Sequence, residues 1–259
     1  MKGNEVADRF DRAAATYDDS AVPRWLAGQA AQLAMASPAE LVLDVATGTG
    51  LAIEAMISLG SKASFTGVDI SSGMLAQAAR KPLAARTVLR QADANQLPFQ
   101  DNMFDLTICV SAMPYFREPA RALAEWRRVT RHGRIIFTAW TEGGLTLPRL
   151  VRLAAAEEGV ILPDPTAALA TVDGLRLVTA AAGLRVAHLS VVEHHQPLLQ
   201  SDAAAWDRVT AGEFGQPMRQ ADQETQHRAR ARFLRLLTDA TAAENSNRTS
   251  AYLIETAHA

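Results

Sequence analysis

The sequence predicts an α/β protein with a mostly parallel, seven-stranded sheet and helices on both of its faces. Three observations support this. Short apolar runs alternate with helical patterns between residues 41 and 139, as βα units in series do. The run Leu106 to Val110 is almost wholly apolar, as a strand covered on both faces must be. A Gly-rich loop, Thr47-Gly48-Thr49-Gly50, joins the first run to the helix behind it.

The elements follow in order. Residues 5–35 are Ala-rich, and Val6, Phe10, Ala13, Ala14 and Tyr17 fall at helical spacing. Pro23 fits the start of a second helix with Trp25, Leu26, Ala30 and Leu33, and Pro38 stops it. Leu41 to Val45 is the first strand, and a helix from Leu51 to Leu59 ends at Gly60. Ala63 to Val68 is the second strand, closed by Asp69; Ser71 caps a helix carrying Met74, Leu75 and Ala78. Thr87 to Gln91 and Leu106 to Val110 are the next strands. Pro119 opens a helix over Ala120 to Arg131, Gly133 ends it, and Arg134 to Ala139 is the fifth strand. The stretch 141–172 reads as irregular helix, Leu175 to Ala182 as helix and Leu184 to Val192 as the sixth strand. Residues 198–243 read as amphipathic helix and Tyr252 to Thr256 as the last strand. The simplest account is one domain over 1–259. It has a helical cover at 1–36, a ligand-binding core at 41–140 and lid insertions at 141–172 and 198–243.

Composition removes several function classes. The 259 residues are 48% hydrophobic and 21% charged, which excludes a disordered chain. A net charge of −2 lacks the basic footprint of a general nucleic-acid binder. The single cysteine, Cys109, excludes a disulfide framework and a Cys-rich zinc site, and no metal is expected. No apolar run approaches the roughly 18 residues of a membrane span. Met1 to Asp11 is polar and lacks the apolar region of a secretory signal. The expectation is a cytoplasmic protein, monomer or homodimer, with no nucleic-acid partner and no membrane insertion.

The loop after the first strand narrows the ligand. Glycines there let the backbone approach a ligand, and the helix behind offers free N–H groups. A dinucleotide site wants G-x-G-x-x-G, but Ile53 stands at the third glycine position and Asp44 would repel a pyrophosphate. A cationic ligand has the opposite need and is attracted by an acid in a partly desolvated site. Asp69 ends the second strand, where an acid can accept both hydroxyls of a ribose, or simply cap a helix. Asp93 follows the third strand, either as an adenine contact or as a loop acid. In open α/β sheets the ligand lies across the carboxyl ends of the strands, where these acids stand together.

These stretches resemble class I S-adenosylmethionine-dependent methyltransferases of the small-molecule type, which include the ubiquinone/menaquinone-type and malonyl-carrier enzymes. The resemblance rests on L-V-L-D-V-A-T-G-T-G-L (41–51), F-T-G-V-D-I-S (65–71), Q-A-D-A (91–94) and L-P-F-Q-D-N-M-F-D (97–105). It also rests on L-A-E-W-R-R-V-T-R-H-G-R-I-I-F-T-A-W (123–140) and F-D-R-A-A-A-T-Y-D (10–18). Ala46 departs from the family's usual glycine, and the usual Pro-Gly-Gly turn is reduced to His132-Gly133. The resemblance implies S-adenosyl-L-methionine as cofactor in a Rossmann-like fold. It places the methionine end on Asp44, Ala46, Thr47, Gly48 and Gly50. Ribose and adenine fall on Asp69, Ile70, Met74, Asp93 and Ala94, with Val110 and Ser111 beneath and Tyr17 as cover.

Methyl transfer from a sulfonium is an in-line displacement, so its main need is alignment without water. A general base is needed only where the acceptor must lose a proton. No catalytic residue is assigned. His194 and His195 follow the sixth strand as either surface groups or a base, and Tyr115, Phe116 and Trp140 offer an aromatic wall. Tyr115, Trp140 and His195 are the expected acceptor contacts. Pro114-Tyr115-Phe116 matches half of a Pro-Pro-Tyr signature of nucleic-acid amino methyltransferases, but Met113 precedes it. The Arg-rich run 228–235 is either a solvated helix face or a contact for an acidic carrier or carboxylate. The expected reaction is methylation at O, N or C of a small organic intermediate, free or carrier-bound. The alternatives are a non-methylating cyclisation or decarboxylation on the same cofactor site, and a non-catalytic partner subunit.

Overall fold

Strand residues of the computed structural model divide between two buried clusters, and this division builds the sheet's two covered faces. Leu43 and Val45 of β1 (Leu41–Val45) face one cluster while Val42 faces the other. In β4 (Leu106–Cys109), Leu106 and Ile108 oppose Cys109 in the same way. In β5 (Ile135–Leu145), Ile135 and Phe137 oppose Ile136. Alternation with apolar residues on both sides is what a strand sandwiched by helices requires. The structure describes residues 3–83, 86–242 and 246–259.

The sheet has the order β3-β2-β1-β4-β5-β7-β6, with β2 at Ser64–Asp69, β3 at Thr87–Gln91, β6 at Leu184–Pro197 and β7 at Ser246–His258. The pairings of β1 with β2 and β4, of β2 with β3, and of β4 with β5 are parallel. The order reverses at β1, so a crevice opens between the carboxyl ends of β1 and β4. One face carries α2 (Ala21–Ala34) and α3 (Leu51–Ser58) through Ala27, Ala30, Ile53 and Met56. The other carries α5 (Pro119–Val129) and α7 (Val172–Ala181) through Leu123, Trp126 and Leu175. The remaining helices are α1 (Gly3–Ala13), α4 (Ser72–Ala78), α6 (Thr146–Glu157), α8 (Ala205–Ala211), α9 (Gln216–Gln220) and α10 (Gln223–Ala242).

Two compact units divide the chain: Met1–Ala139 with Ala168–Val192 and Tyr252–Ala259, and Trp140–Ala167 with Glu193–Ala251. Much of the two stretches set apart by sequence as insertions falls in the second. Its own core joins Val151 and Ala154 of α6 to Trp206 of α8 and to Ala229, Phe233 and Leu237 of α10. The last three recur every four residues, one stripe of a helix.

Several boundaries differ from the sequence reading. The first helix stops at Ala13, and a 3-10 turn over Ala14–Asp19 carries Tyr17. The second starts at Ala21, so Pro23 is its third residue, where a missing N–H still costs no bond. It ends at Ala34, before Pro38. Residues 141–145 continue β5 instead of starting a helix, and His194 and His195 lie inside β6 rather than after it. Ser71 caps α4 as expected, accepting from the Met74 N–H at 3.0 Å.

Candidate active site

A recess of about 390 Å³ opens at the carboxyl ends of β1, β2 and β4, within the size range of small-molecule sites. Tyr17, Ala46, Gly48, Asp69, Ile70 and Met74 line it, as do Asp93, Ala94, Val110, Ser111 and Tyr115. A smaller recess adjoins it and takes Asp44 and Thr47; Tyr17, Ala46, Gly48, Val110 and Ser111 belong to both. Gly50 lines neither; it caps α3 in the left-handed conformation at φ +80°. The sequence reading thus gathers eleven of its residues on one recess and two more beside it.

The loop after β1 is shaped by backbone that few side chains tolerate. Gly48 has φ +56°, and a Cβ there would enter open space rather than protein. That open space is room for a ligand against bare backbone. Ala46 also sits left-handed, at φ +53°, which explains the glycine usual at this position. Ala46→Gly is therefore expected to stabilise the protein by about 0.5–1 kcal/mol, relief of strain outweighing the added chain entropy. Urea denaturation checks it, and a loss of stability would refute it.

Two of the loop's own N–H groups are engaged within the protein. The Gly48 N–H donates to Asp69 Oδ2 at 2.8 Å and the Gly50 N–H to the Thr47 carbonyl at 2.9 Å. Asp69 Oδ1 accepts from the Ser71 N–H at 2.8 Å. Asp69 thus ties the turn after β1 to the turn after β2, rather than capping α4. A carboxylate already seated on the Gly48 amide disfavours a pyrophosphate at that point.

Asp44 is the most unusual group of the site. It is 2% exposed, accepts from Thr47 Oγ1 at 2.6 Å and lies near a second acid, Asp69. Burial pushes its carboxyl up to about 7, helped by the Asp69 charge and opposed by the Thr47 hydrogen bond. Burial also raises Asp69, against its hydrogen bonds from Ser71, Gly48 and Ile70. Two acids held in low dielectric at neighbouring strand ends attract a cation. Burial, with Tyr115, Asp69 and Asp18 nearby, raises the Tyr17 phenol, so it stays protonated.

At the far side of the recess, Asp93 Oδ1 accepts from the N–H and side-chain amide of Asn95 at 2.8 and 2.9 Å. Trp126 Nε1 donates to the Ala94 carbonyl at 2.9 Å, fixing that wall to α5. Phe10 packs edge-on against Tyr115 at 5.0 Å, and Arg9 covers the Tyr115 ring at 5.4 Å. Phe116, expected as part of an aromatic wall, lines the recess, and Phe10, Val6 and Gln96 line it without having been singled out for it. Their signal was the F-D-R-A-A-A-T-Y-D stretch for Phe10 and nothing local for Val6 and Gln96.

Trp140 and His195 are not among the lining residues. Trp140 lies on β5 and His195 on β6, both in the second unit, with His195 Nε2 3.4 Å from Glu193. Three arginines of the Arg-rich run are paired with acids of the same unit. Arg228 pairs with Glu158 and Glu224, Arg232 with Glu157 and Arg230 with Asp207.

A family model described as a methyltransferase domain matches residues 43–138. A demethylmenaquinone methyltransferase from Deinococcus radiodurans is 31% identical over 71% of this chain and 86% of its own length. The chain belongs to the S-adenosylmethionine-dependent methyltransferases. A malonyl-[acyl-carrier protein] O-methyltransferase from Geobacter sulfurreducens is 31% identical over 80% of this chain and 81% of its own. A protein of the same description from Herminiimonas arsenicoxydans is 36% identical, and the match spans about half of that relative, 51%. Among solved structures, a [4+2]-cyclase, SpnF, shares the fold with a TM-score of 0.55 at 20% identity, over 91% of this chain and 81% of its own. The methyl donor of this methyltransferase family is S-adenosylmethionine, and the recess fits it. Buried acids suit its cations, and bare backbone at Gly48 admits its chain. Among the described residues no helix is long and apolar enough to cross a membrane.

Proposed function

We propose that this methyltransferase moves the methyl of S-adenosylmethionine to O, N or C of a small organic biosynthetic intermediate, free or bound to a carrier. The observation that carries the reading is Asp44, a buried carboxylate with a second acid beside it at the head of a bare-backbone loop. In this reading Asp44 takes the cofactor's ammonium, with Thr47 and the Ala46 and Gly48 backbone around the methionine chain. Asp69 with Ile70 and Met74 receives the ribose, and Asp93 and Ala94 meet the adenine. Val110, Ser111 and Tyr17 belong to both recesses, where the sulfur joins the two halves of the cofactor. The cofactor supplies an electrophilic methyl. The chain's residues hold it, exclude water and turn the methyl toward the acceptor. Tyr115 is the acceptor's aromatic neighbour. The relatives' names favour a quinol-type ring or a malonyl thioester as first acceptors to test.

Incubation with methyl-labelled S-adenosylmethionine and a panel of hydroxylated aromatic rings and malonyl thioesters is the test. Demethylated cofactor should form in step with labelled product. Product without demethylated cofactor would replace methyl transfer by a rearrangement such as cyclisation. No binding of the cofactor at all would sink the reading.

A further inference from the structure

The N-terminal segment is fastened at two points, and the residue before each fastening lines the recess. At the first, Asp11 Oδ1 accepts from Ser71 Oγ at 2.6 Å and from the Gly73 N–H at 2.8 Å. At the second, Asp18 Oδ1 accepts from Thr49 Oγ1 at 2.5 Å, and Lys81 Nζ lies 2.6 Å from Asp18 Oδ2. Lys81 is 15% exposed and braced by Glu54 at 3.2 Å. Phe10 and Tyr17, each one residue before an acid, line the recess and meet edge-on at 6.3 Å.

The fastenings are built for close contact. Hydrogen bonds from Ser71 and Gly73 hold the Asp11 carboxyl below its usual range. Burial opposes ionisation of Asp18, but the Lys81 and Thr49 hydrogen bonds hold it low as well. Both acids are therefore charged at neutral pH. A Cβ on Gly73 would stand 2.9 Å from Asp11 Oδ1 and 3.1 Å from the Asp11 Cα. Glycine in the first turn of α4 is what lets α1 lie this near. Each fastening also lands beside a residue of the cofactor recess: Ser71 follows Ile70, and Thr49 follows Gly48.

We propose that Asp11 and Asp18, with Gly73 and Lys81 as their receivers, are positioning residues that hold Phe10 and Tyr17 over the cofactor. Bound cofactor then escapes when this strap unfastens. The inference rests on the S-adenosylmethionine reading of the recess. Two fastenings joined by one short segment act together, because freeing one end leaves the other holding only part of the contact.

The experiment is release of demethylated cofactor, S-adenosylhomocysteine, chased by excess S-adenosylmethionine in rapid mixing. Asp18→Ala, Lys81→Met and Gly73→Ala are each expected to speed release about tenfold, and Asp11→Ala with Asp18→Ala together more than either alone. Gly73→Ala is the decisive variant. Alanine is the better helix former, so a lower melting temperature would come from the displaced Asp11 and mark a purely structural contact, with no change in release. Wedging the strap predicts faster release without a lower melting temperature. In ligand-free Gly73→Ala, hydrogen exchange should rise over residues 5–19 and stay unchanged in the sheet. Wild-type binding with release within twofold in every variant overturns the strap alone, as does exchange that rises throughout the sheet. Failure of the wild type to bind S-adenosylhomocysteine overturns the cofactor reading and the strap's role with it.

Discussion

S-Adenosylmethionine should bind more than tenfold tighter at about pH 7 than at about pH 5.5, with a proton released at the lower pH. The cause is Asp44, whose carboxyl lies at about 7 in the ligand-free protein. It is ionised in roughly 3% of molecules at about pH 5.5 and in roughly half at about pH 7. The cofactor's ammonium, with an ordinary α-amino pKa near 7.7–8.0, stays largely charged over this window. Only the ionised acid pairs with it, so binding pulls the proton off. Folding stability moves the other way. Asp44's folded value lies above its unfolded 3.8, so its contribution is full below about pH 4 and is lost as pH rises through about 7. Ligand-free Asp44→Asn should therefore be more stable than wild type at about pH 8, by an amount on the order of 2–4 kcal/mol, and similar to it at about pH 4. The same variant should lose about a hundredfold or more in affinity, because an ammonium is then left without its counter-charge. Calorimetry in two buffers of different ionisation heat reads the proton directly. A pH-independent affinity in the wild type would remove Asp44 from the ammonium site.

Asp69→Ala should fail on two counts at once. Its oxygens meet the N–H groups of Gly48 and Ser71, both at 2.8 Å. Alanine strands both donors, one of them buried, at about 1–3 kcal/mol for a buried group, so a stability loss of about 2–4 kcal/mol is expected. The turn after β1 is also released from the turn after β2, and in the proposed reading the ribose loses its acceptor. Cofactor affinity should fall by at least about thirtyfold, or ~2 kcal/mol. Asp69→Asn keeps one acceptor oxygen and should fall between the two proteins in both measurements. Urea denaturation and calorimetry on the same samples separate the roles. Lost stability with unchanged affinity would make Asp69 a structural tie and nothing more.

What could be read in the sequence was whatever repeats locally. The strands β1, β4 and β5 showed themselves because residues buried on both faces leave continuous apolar runs, whereas the edge strand β3 is mostly exposed. The acids at the strand ends fell into place because a sheet puts all carboxyl ends on one side. Beyond Ala139 the pattern fails: Thr141-Glu142-Gly143-Gly144 has neither alternation nor apolar content, yet β5 runs through it to Leu145. Hydrogen bonding holds that stretch, with Thr141 Oγ1 donating to the Ser250 carbonyl at 3.3 Å, and a partner 109 residues away leaves no local trace. Asp11 and Asp18 were hidden for the same reason, since their partners lie 60 and 31 residues on. The arginines of α10 gave an ambiguous charge run until Glu157 and Glu158, at the end of α6, were seen to receive two of them. Asp69 was legible as a strand-end acid, but not as the tie between two turns, because Gly48 advertises nothing about where its N–H points.

Cys109 ends β4 fully buried, and burial together with Asp44 and Asp69 keeps its thiol protonated. A neutral thiol without solvent contact is inert toward alkylating and disulfide reagents. As the chain's only cysteine, it is a ready chemical clock for the sheet. Its rate of modification counts openings deep enough to expose the centre of the sheet, separately from any motion at the surface. A second cysteine placed on an exposed position of α1 would react without competition from the first. The two rates in one molecule would then time the strap's opening against that of the core beneath it.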